Sequence, residues 1–152
     1  FKADLLGTQQ VRFEASTNRG MKAGPIDKIA SGGELARFLL ALKVALEGDA
    51  AGRTLIFDEV DSGVGGAVAA AVGDRLSRLG QSTQTLVVTH SPQVAAKGSY
   101  HMKIAKTATH DGMISGTEPL DRNARTEEIA RMLAGEQITA EARAAALALL
   151  DG

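Results

Sequence analysis

Thr54-Leu55-Ile56-Phe57-Asp58-Glu59-Val60-Asp61-Ser62-Gly63 is the stretch whose reading decides the fold. Thr54 to Phe57 is a short continuous apolar run, which suits a parallel strand buried on both faces. Two acids close it, and Gly63, Gly65 and Gly66 make a turn behind them. Residues 67–79 then carry Val68, Ala71, Val72, Leu76 and Leu79 at helical spacing. Thr85–Val88 is a second buried run, closed by Thr89-His90-Ser91-Pro92. Strand, helix and strand in that order predict a βαβ unit with a right-handed crossover.

Upstream, Leu35, Phe38, Leu39, Leu42, Ala45 and Leu46 recur at three- and four-residue spacing and predict a helix with one apolar face, ended by Gly48 and Gly52. Residues 17–30 hold Asn18, Gly20, Gly24 and Pro25 and read as a loop. Residues 9–16 alternate at Val11, Phe13 and Ala15, the pattern of a half-buried strand. Downstream, a short helix falls around Gln93–Lys97. Tyr100, Met102 and Ile104 then alternate with His101, Lys103 and Ala105, a further strand. Asp111-Gly112 is a tight-turn signal, with residues 113–120 as the return strand. Asn123 or Thr126 caps a helix with Glu127 and Glu128 in its first turn and Ile129, Met132 and Leu133 as its buried stripe; Gly135 stops it. Thr139 starts a final alanine-rich helix ending in Leu147, Leu149 and Leu150. Residues 1–152 are expected to form a single α/β domain, or one lobe of a larger one.

Composition narrows the class of function. At 152 residues, 44% hydrophobic and 23% charged, the chain has the makeup of an ordinary globular domain. A formal net charge of −1 gives no basic field, so a main nucleic-acid surface is not expected here. Without cysteine there is no disulfide framework and no thiolate metal site. No apolar run approaches a membrane span and no signal peptide is visible, so no membrane partner is expected. The chain starts at Phe1 in mid-pattern and is expected to be a piece of a longer protein.

The chemistry gathers at strand ends. In open α/β sheets ligands bind beyond the carboxyl ends of the strands, where Asp58 and Glu59 fall. Asp58 suits Mg²⁺, held largely through water. Glu59 can orient and polarise an attacking water. Alone, such a pair is as readily a solvated strand end. His90 ends the neighbouring strand, about 5 Å away across the sheet, and reaches the same crevice. It can contact a γ-phosphate or that water, or it can simply precede Pro92 as a cap. Ser31-Gly32-Gly33-Glu34 fits a capping box, serine and glutamate capping each other's backbone. That leaves two glycines in a first turn, each unfavourable by about 1 kcal/mol against alanine. They let a backbone approach closely, and a bare helix N-terminus is an anion site. Asp61-Ser62-Gly63-Val64-Gly65-Gly66 is either a glycine-rich turn or a loop that touches a partner. His101, His110, Lys103, Lys106 and the Arg122–Arg131 stretch read as structural or solvated groups. A Gly-x-x-x-x-Gly-Lys-Ser/Thr phosphate loop does not occur in the sequence; Ala96-Lys97-Gly98-Ser99 has the wrong order. The cradle is therefore expected upstream, and the chain alone is not expected to bind ATP well.

Taken together, these residues resemble the ABC-type ATPases. Ser31–Glu34 looks like the signature motif, Leu55–Glu59 like the Walker B strand with its catalytic glutamate, Asp61–Gly65 like the D-loop, and Thr89-His90 like the switch histidine. The strings Ile29–Arg37, Phe57–Gly66, Val88–Ala95 and Glu128–Gly135 are most similar to the bacterial SMC-like proteins of recombinational double-strand-break repair. Ser62 and Ser91 depart from the commoner threonine and leucine without removing a functional group. The resemblance implies the C-terminal lobe of an ABC/SMC-type ATPase head, with a parallel βαβ core, flanking helices and a β-hairpin. It implies ATP and Mg²⁺, an own N-terminal Walker A lobe beyond a coiled coil, a homodimer of heads, and DNA held through the full-length protein in the cytoplasm, at the nucleoid. In that scheme Asp58 supports Mg²⁺, Glu59 positions water and His90 contacts the γ-phosphate. Ser31, Gly32, Gly33 and Glu34 complete the partner head's site, and Asp61 links the two sites. Competing readings are a transporter or RecF-like head, a non-catalytic dimerisation module, and a stand-alone Mg²⁺-dependent hydrolase.

Overall fold

Parallel strands cannot be joined by a tight turn and need a crossover. In the computed structural model of the chain, β3 (Thr54–Asp58) and β4 (Gln84–Val88) lie parallel, with Thr54 opposite Gln84 and Asp58 opposite Val88. α3 (Gly66–Leu79) joins them. The structure describes residues 12–16, 20, 22–29, 32–45, 53–109, 112–135 and 137–152. Ahead of β3 come β1 (Glu14–Ala15), β2 (Gly24–Pro25), α1 (Ile26–Ile29) and α2 (Gly32–Ala45). After β4 come α4 (Pro92–Ala96), β5 (Met102–Thr109), β6 (Gly112–Pro119), α5 (Arg122–Ala134) and α6 (Ala140–Asp151).

The main core lies on one face of the β3–β4 pair. Phe57 and Val60 pack with Leu40 of α2, with Ala69, Val72, Leu76 and Leu79 of α3, and with Val94 of α4. Leu55 and Val87 pack against this cluster. The other face of the pair is bare: Ile56 is 70% exposed, and Leu86 and Val88 are exposed beside it. Burial on both faces, expected from the apolar run, is therefore not met among the described residues. An apolar run records what a strand can bury and carries no information on which segment covers it.

α2 differs from its expected face. Its core side is Ala36, Leu40 and Val44, while Leu35 and Leu39 are exposed. The helix is apolar on two sides, so period alone could not choose between them. Leu46, Gly48 and Gly52 lie outside the described residues, as does Val11 of the expected first strand. Residues 17–30 are not wholly loop: Gly24–Pro25 pairs antiparallel with Glu14–Ala15 and leads into α1.

β5 and β6 form the expected antiparallel hairpin, with Thr109 opposite Gly112; His110 and Asp111 at its tip lie outside the described residues. Its sidedness is the reverse of the apolar pattern. Tyr100 is 94% exposed, and Met102 and Ile104 are exposed too. His101, Lys103 and Ala105 turn partly inward. α5 is capped by neither Asn123 nor Thr126: Asp121 Oδ1 accepts from the Ala124 N–H at 2.8 Å. That start puts Glu127 and Glu128 beyond the first turn. Gly135 ends α5 at φ 79° as expected, and Thr139 caps α6 by accepting from the Ala142 N–H at 3.2 Å. Ile129, Ala130, Ala96 and Ala146 make a second core with Met132, Leu149 and Leu150 against it, while Leu133 and Leu147 are exposed. No described helix is long and apolar enough to cross a membrane.

Candidate functional site

Register sets the site. Asp58 and Val88 are paired, so Glu59 and His90 follow at the same end of the sheet. The Glu59 N–H donates to the Val88 carbonyl at 3.2 Å, and the Glu59 carbonyl accepts from the Ser62 N–H at 2.9 Å. Between these bonds Glu59 adopts φ 50°, the one non-glycine in the left-handed region among the described residues. That conformation is unfavourable by about 1 kcal/mol for an L-residue. The neighbours enforce it: Val60 is wholly buried in the core and Asp61 is buried beside it, while Glu59 stays exposed. Gly63 and Gly66 continue the turn at φ 73° and 54°.

Asp58, Glu59 and His90 are all exposed, and no hydrogen bond or ion pair engages their side chains among the described residues. Asp61 is different. It is 7% exposed, and its Oδ2 accepts from Thr89 Oγ1 at 2.5 Å and from the Ser91 N–H at 3.2 Å. Among the described residues no three His, Cys, Asp or Glu side chains gather into a metal cage. An ion here would take one carboxylate plus oxygens from outside the chain, which is how Mg²⁺ is usually held at phosphates.

The first turn of α2 is joined to the turn after Glu59. Arg37 Nη1 donates to the Ser62 carbonyl at 3.0 Å. A Cβ on Gly33 would come within 2.7 Å of that same carbonyl oxygen and 3.0 Å of Arg37 Nη1. The close approach expected at Gly33 is therefore made to the chain's own backbone. Gly32 opens α2. Ser31, and with it the capping box, lies outside the described residues, and the Glu34 side chain is not described. Arg37 and Thr89 received no role from the sequence. Arg37 was signalled only by standing four residues after Gly33, on the same helix face.

Several groups read as solvated are engaged instead. Lys103 Nζ lies 2.8 Å from Glu128 Oε2, and Arg131 grips the same carboxylate through Nε at 3.0 Å and Nη2 at 2.6 Å. Hydrogen bonds from Arg131, opposed by burial and aided by Lys103, pull the Glu128 carboxyl down to about 2. Arg125 Nη2 donates to the carbonyls of Ala95, Ala96 and Gly98 at the end of α4. His101 Nδ1 is buried with no partner among the described residues, and burial and then Arg125 lower its pKa, with Glu128 acting against them. A cleft of about 530 Å³ lined by Asp74, Arg78, Lys97, Arg125 and Leu149 contains none of the strand-end residues.

This α/β arrangement shares the fold of a solved SMC ATPase chain. A solved chain, reported for ATP-driven dimerisation and DNA-stimulated activation of SMC ATPases, matches with a TM-score of 0.53 and 20% identity, covering 78% of this chain and 70% of that one. The chain is 49% identical to the DNA repair protein RecN of Rickettsia prowazekii over 88% of its length. It is 49% identical to RecN of Xylella fastidiosa over 95%, and 48% identical to RecN of Mycobacterium leprae over 99%. It is thus a relative of the RecN proteins over nearly all of its length, and spans 24% to 26% of theirs. No family model matches it.

Proposed function

We propose that the chain is the C-terminal lobe of an SMC-like ATPase head that hydrolyses ATP in recombinational repair of DNA double-strand breaks. One observation carries this reading: Asp58, Glu59 and His90 stand exposed at one sheet end, unengaged among the described residues, with Glu59 in a strained backbone conformation. Backbone strain clusters at functional sites, and polar side chains left without a described partner beside it fit one. Glu59 orients and polarises the attacking water. His90 contacts the γ-phosphate. Asp58 would hold Mg²⁺, largely through water, and the ion supplies charge neutralisation on the phosphates.

The chain lacks a phosphate loop, so the nucleotide is cradled by the protein's own N-terminal Walker A lobe. The bare face of Ile56, Leu86 and Val88 is where that lobe packs. Ser31, Gly32, Gly33 and Glu34 complete the site of a second head in a homodimer, and the Asp61–Gly66 loop runs between the two sites. DNA is held elsewhere in the protein, consistent with a net charge of −1, and the protein works in the cytoplasm at the nucleoid. In the native-length protein, Glu59→Gln is expected to slow ATP turnover by at least about 100-fold. A normal rate would overturn the assignment of Glu59. Ser31→Arg is expected to abolish turnover; intact hydrolysis would overturn the role of Ser31 in the second head's site.

A further inference from the structure

We propose that Asp61 is a positioning residue for His90. Resting on the ATPase reading above, the claim is that its inward carboxylate holds both neighbours of the histidine and ties them to the turn that carries Glu59. His90 belongs to neither β4 nor α4, since the strand ends at Val88 and the helix begins at Pro92. Its side chain has no described partner, so only the residues beside it can fix its place. Both of those residues end on one oxygen. Thr89 Oγ1 donates to Asp61 Oδ2 at 2.5 Å, and the Ser91 N–H reaches the same Oδ2 at 3.2 Å. The Ser91 N–H also donates to Thr89 Oγ1 at 2.9 Å, which closes a ring around His90.

The choice of an acid follows from this ring. An ionised carboxylate only accepts, and one oxygen can take two donors. Hydrogen bonds to a charged acceptor are the stronger kind, and a buried carboxylate needs them. An asparagine would keep the shape while giving up the charge. Asp61 is also two residues from Glu59, whose N–H is bonded to Val88 at the end of β4. The two turns are therefore tied twice, once through Glu59 and Val88 and once through Asp61 and the pair flanking His90. Val60 and Val94, buried in one core, anchor the two sides from below. The separation of water-orienting carboxylate and imidazole is set by this clasp, so breaking it should disturb the chemical step more than nucleotide capture.

The test is ATP kinetics on the native-length protein with Asp61→Asn, Thr89→Val and Thr89→Ser. The first two are expected to lower kcat by about 10- to 100-fold, the effect of misplacing a reacting group. KM for ATP should move by less than about threefold. Thr89→Ser keeps the donating hydroxyl and should restore most of kcat. Combined with His90→Ala, neither Asp61→Asn nor Thr89→Val should add a further loss, because a residue acting through another is not additive with it. Full additivity, or an undiminished kcat in both variants, overturns the proposal. If Asp61→Asn does not fold, the valine and serine pair at Thr89 decides. Turnover abolished by Glu59→Gln but unaltered by Thr89→Val sinks the clasp alone. Normal turnover in Glu59→Gln sinks the ATPase reading instead. The clasp is then judged by amide exchange at Ser91, which Thr89→Val should accelerate and Thr89→Ser should not; equal exchange in both overturns it.

Discussion

The end of the β3–β4 pair and the contact between β5 and α5 treat charge in opposite ways. At β5–α5, Glu128 is buried and gripped by Arg131 and Lys103, and its carboxyl is drawn down to about 2. Arg125 beside it is spent on three backbone carbonyls. At the strand ends, Asp58, Glu59 and His90 have no described partner, and the backbone at Glu59 is strained. Charges neutralised within the chain serve folding. Charges left open on a strained turn await a partner from outside the chain, which in the proposed ATPase is a phosphate, a metal ion and a water.

Substitution should separate the two regions. Glu59→Gln in the native-length protein, expected to cut turnover by at least about 100-fold, should leave the melting temperature unchanged because no described contact is lost. A large fall in melting temperature would put Glu59 in the same class as Glu128. Glu128→Ala should do the reverse, lowering stability by about 2 kcal/mol as two cations lose a buried partner and rehydrate. Denaturant unfolding measures this, and a neutral result would break the comparison. Gly33→Ala should be unfavourable by about 1–2 kcal/mol, because the new methyl meets the Ser62 carbonyl at 2.7 Å and the two turns must part. Arg122→Ala removes an ion pair to Asp151 whose side chains are 78% and 59% exposed, and should change stability by less than about 0.5 kcal/mol.

Acid should act on the β5–α5 region in two stages. His101 has its pKa lowered below 6.5, chiefly by burial and then by Arg125, so the unfolded chain takes up that proton first. Its contribution is present above pH 6.5 and fades as pH falls below it. Glu128 ionises at about 2 in the fold against 4.5 in the reference state, so its contribution is full above 4.5 and is lost as pH falls toward 2. Thermal melts across pH should decline in both windows, and His101→Asn should flatten only the upper one. A decline below pH 6.5 that survives in His101→Asn would contradict the assignment.

The parallel unit was legible because apolar runs and helical spacing are local signals, and strand register then places Asp58, Glu59 and His90 at one end. Long-range contacts were not legible, and three cases show why. The core side of α2 was ambiguous because Leu35 and Leu39 are as apolar as Leu40. The hairpin's inward side was misread because Lys103 and His101 face α5, where a buried carboxylate many residues away outweighs hydrophobic alternation. The inward turn of Asp61 depends on Thr89 and Ser91, a contact that no spacing along the chain encodes.

The most direct measurement is ATP turnover by this chain alone, and again after mixing with the N-terminal Walker A lobe. No turnover alone, turnover on mixing, and loss of that turnover in Glu59→Gln is the expected result. Turnover by the chain alone, or complex formation without any turnover, would contradict a half-site at the carboxyl ends of β3 and β4.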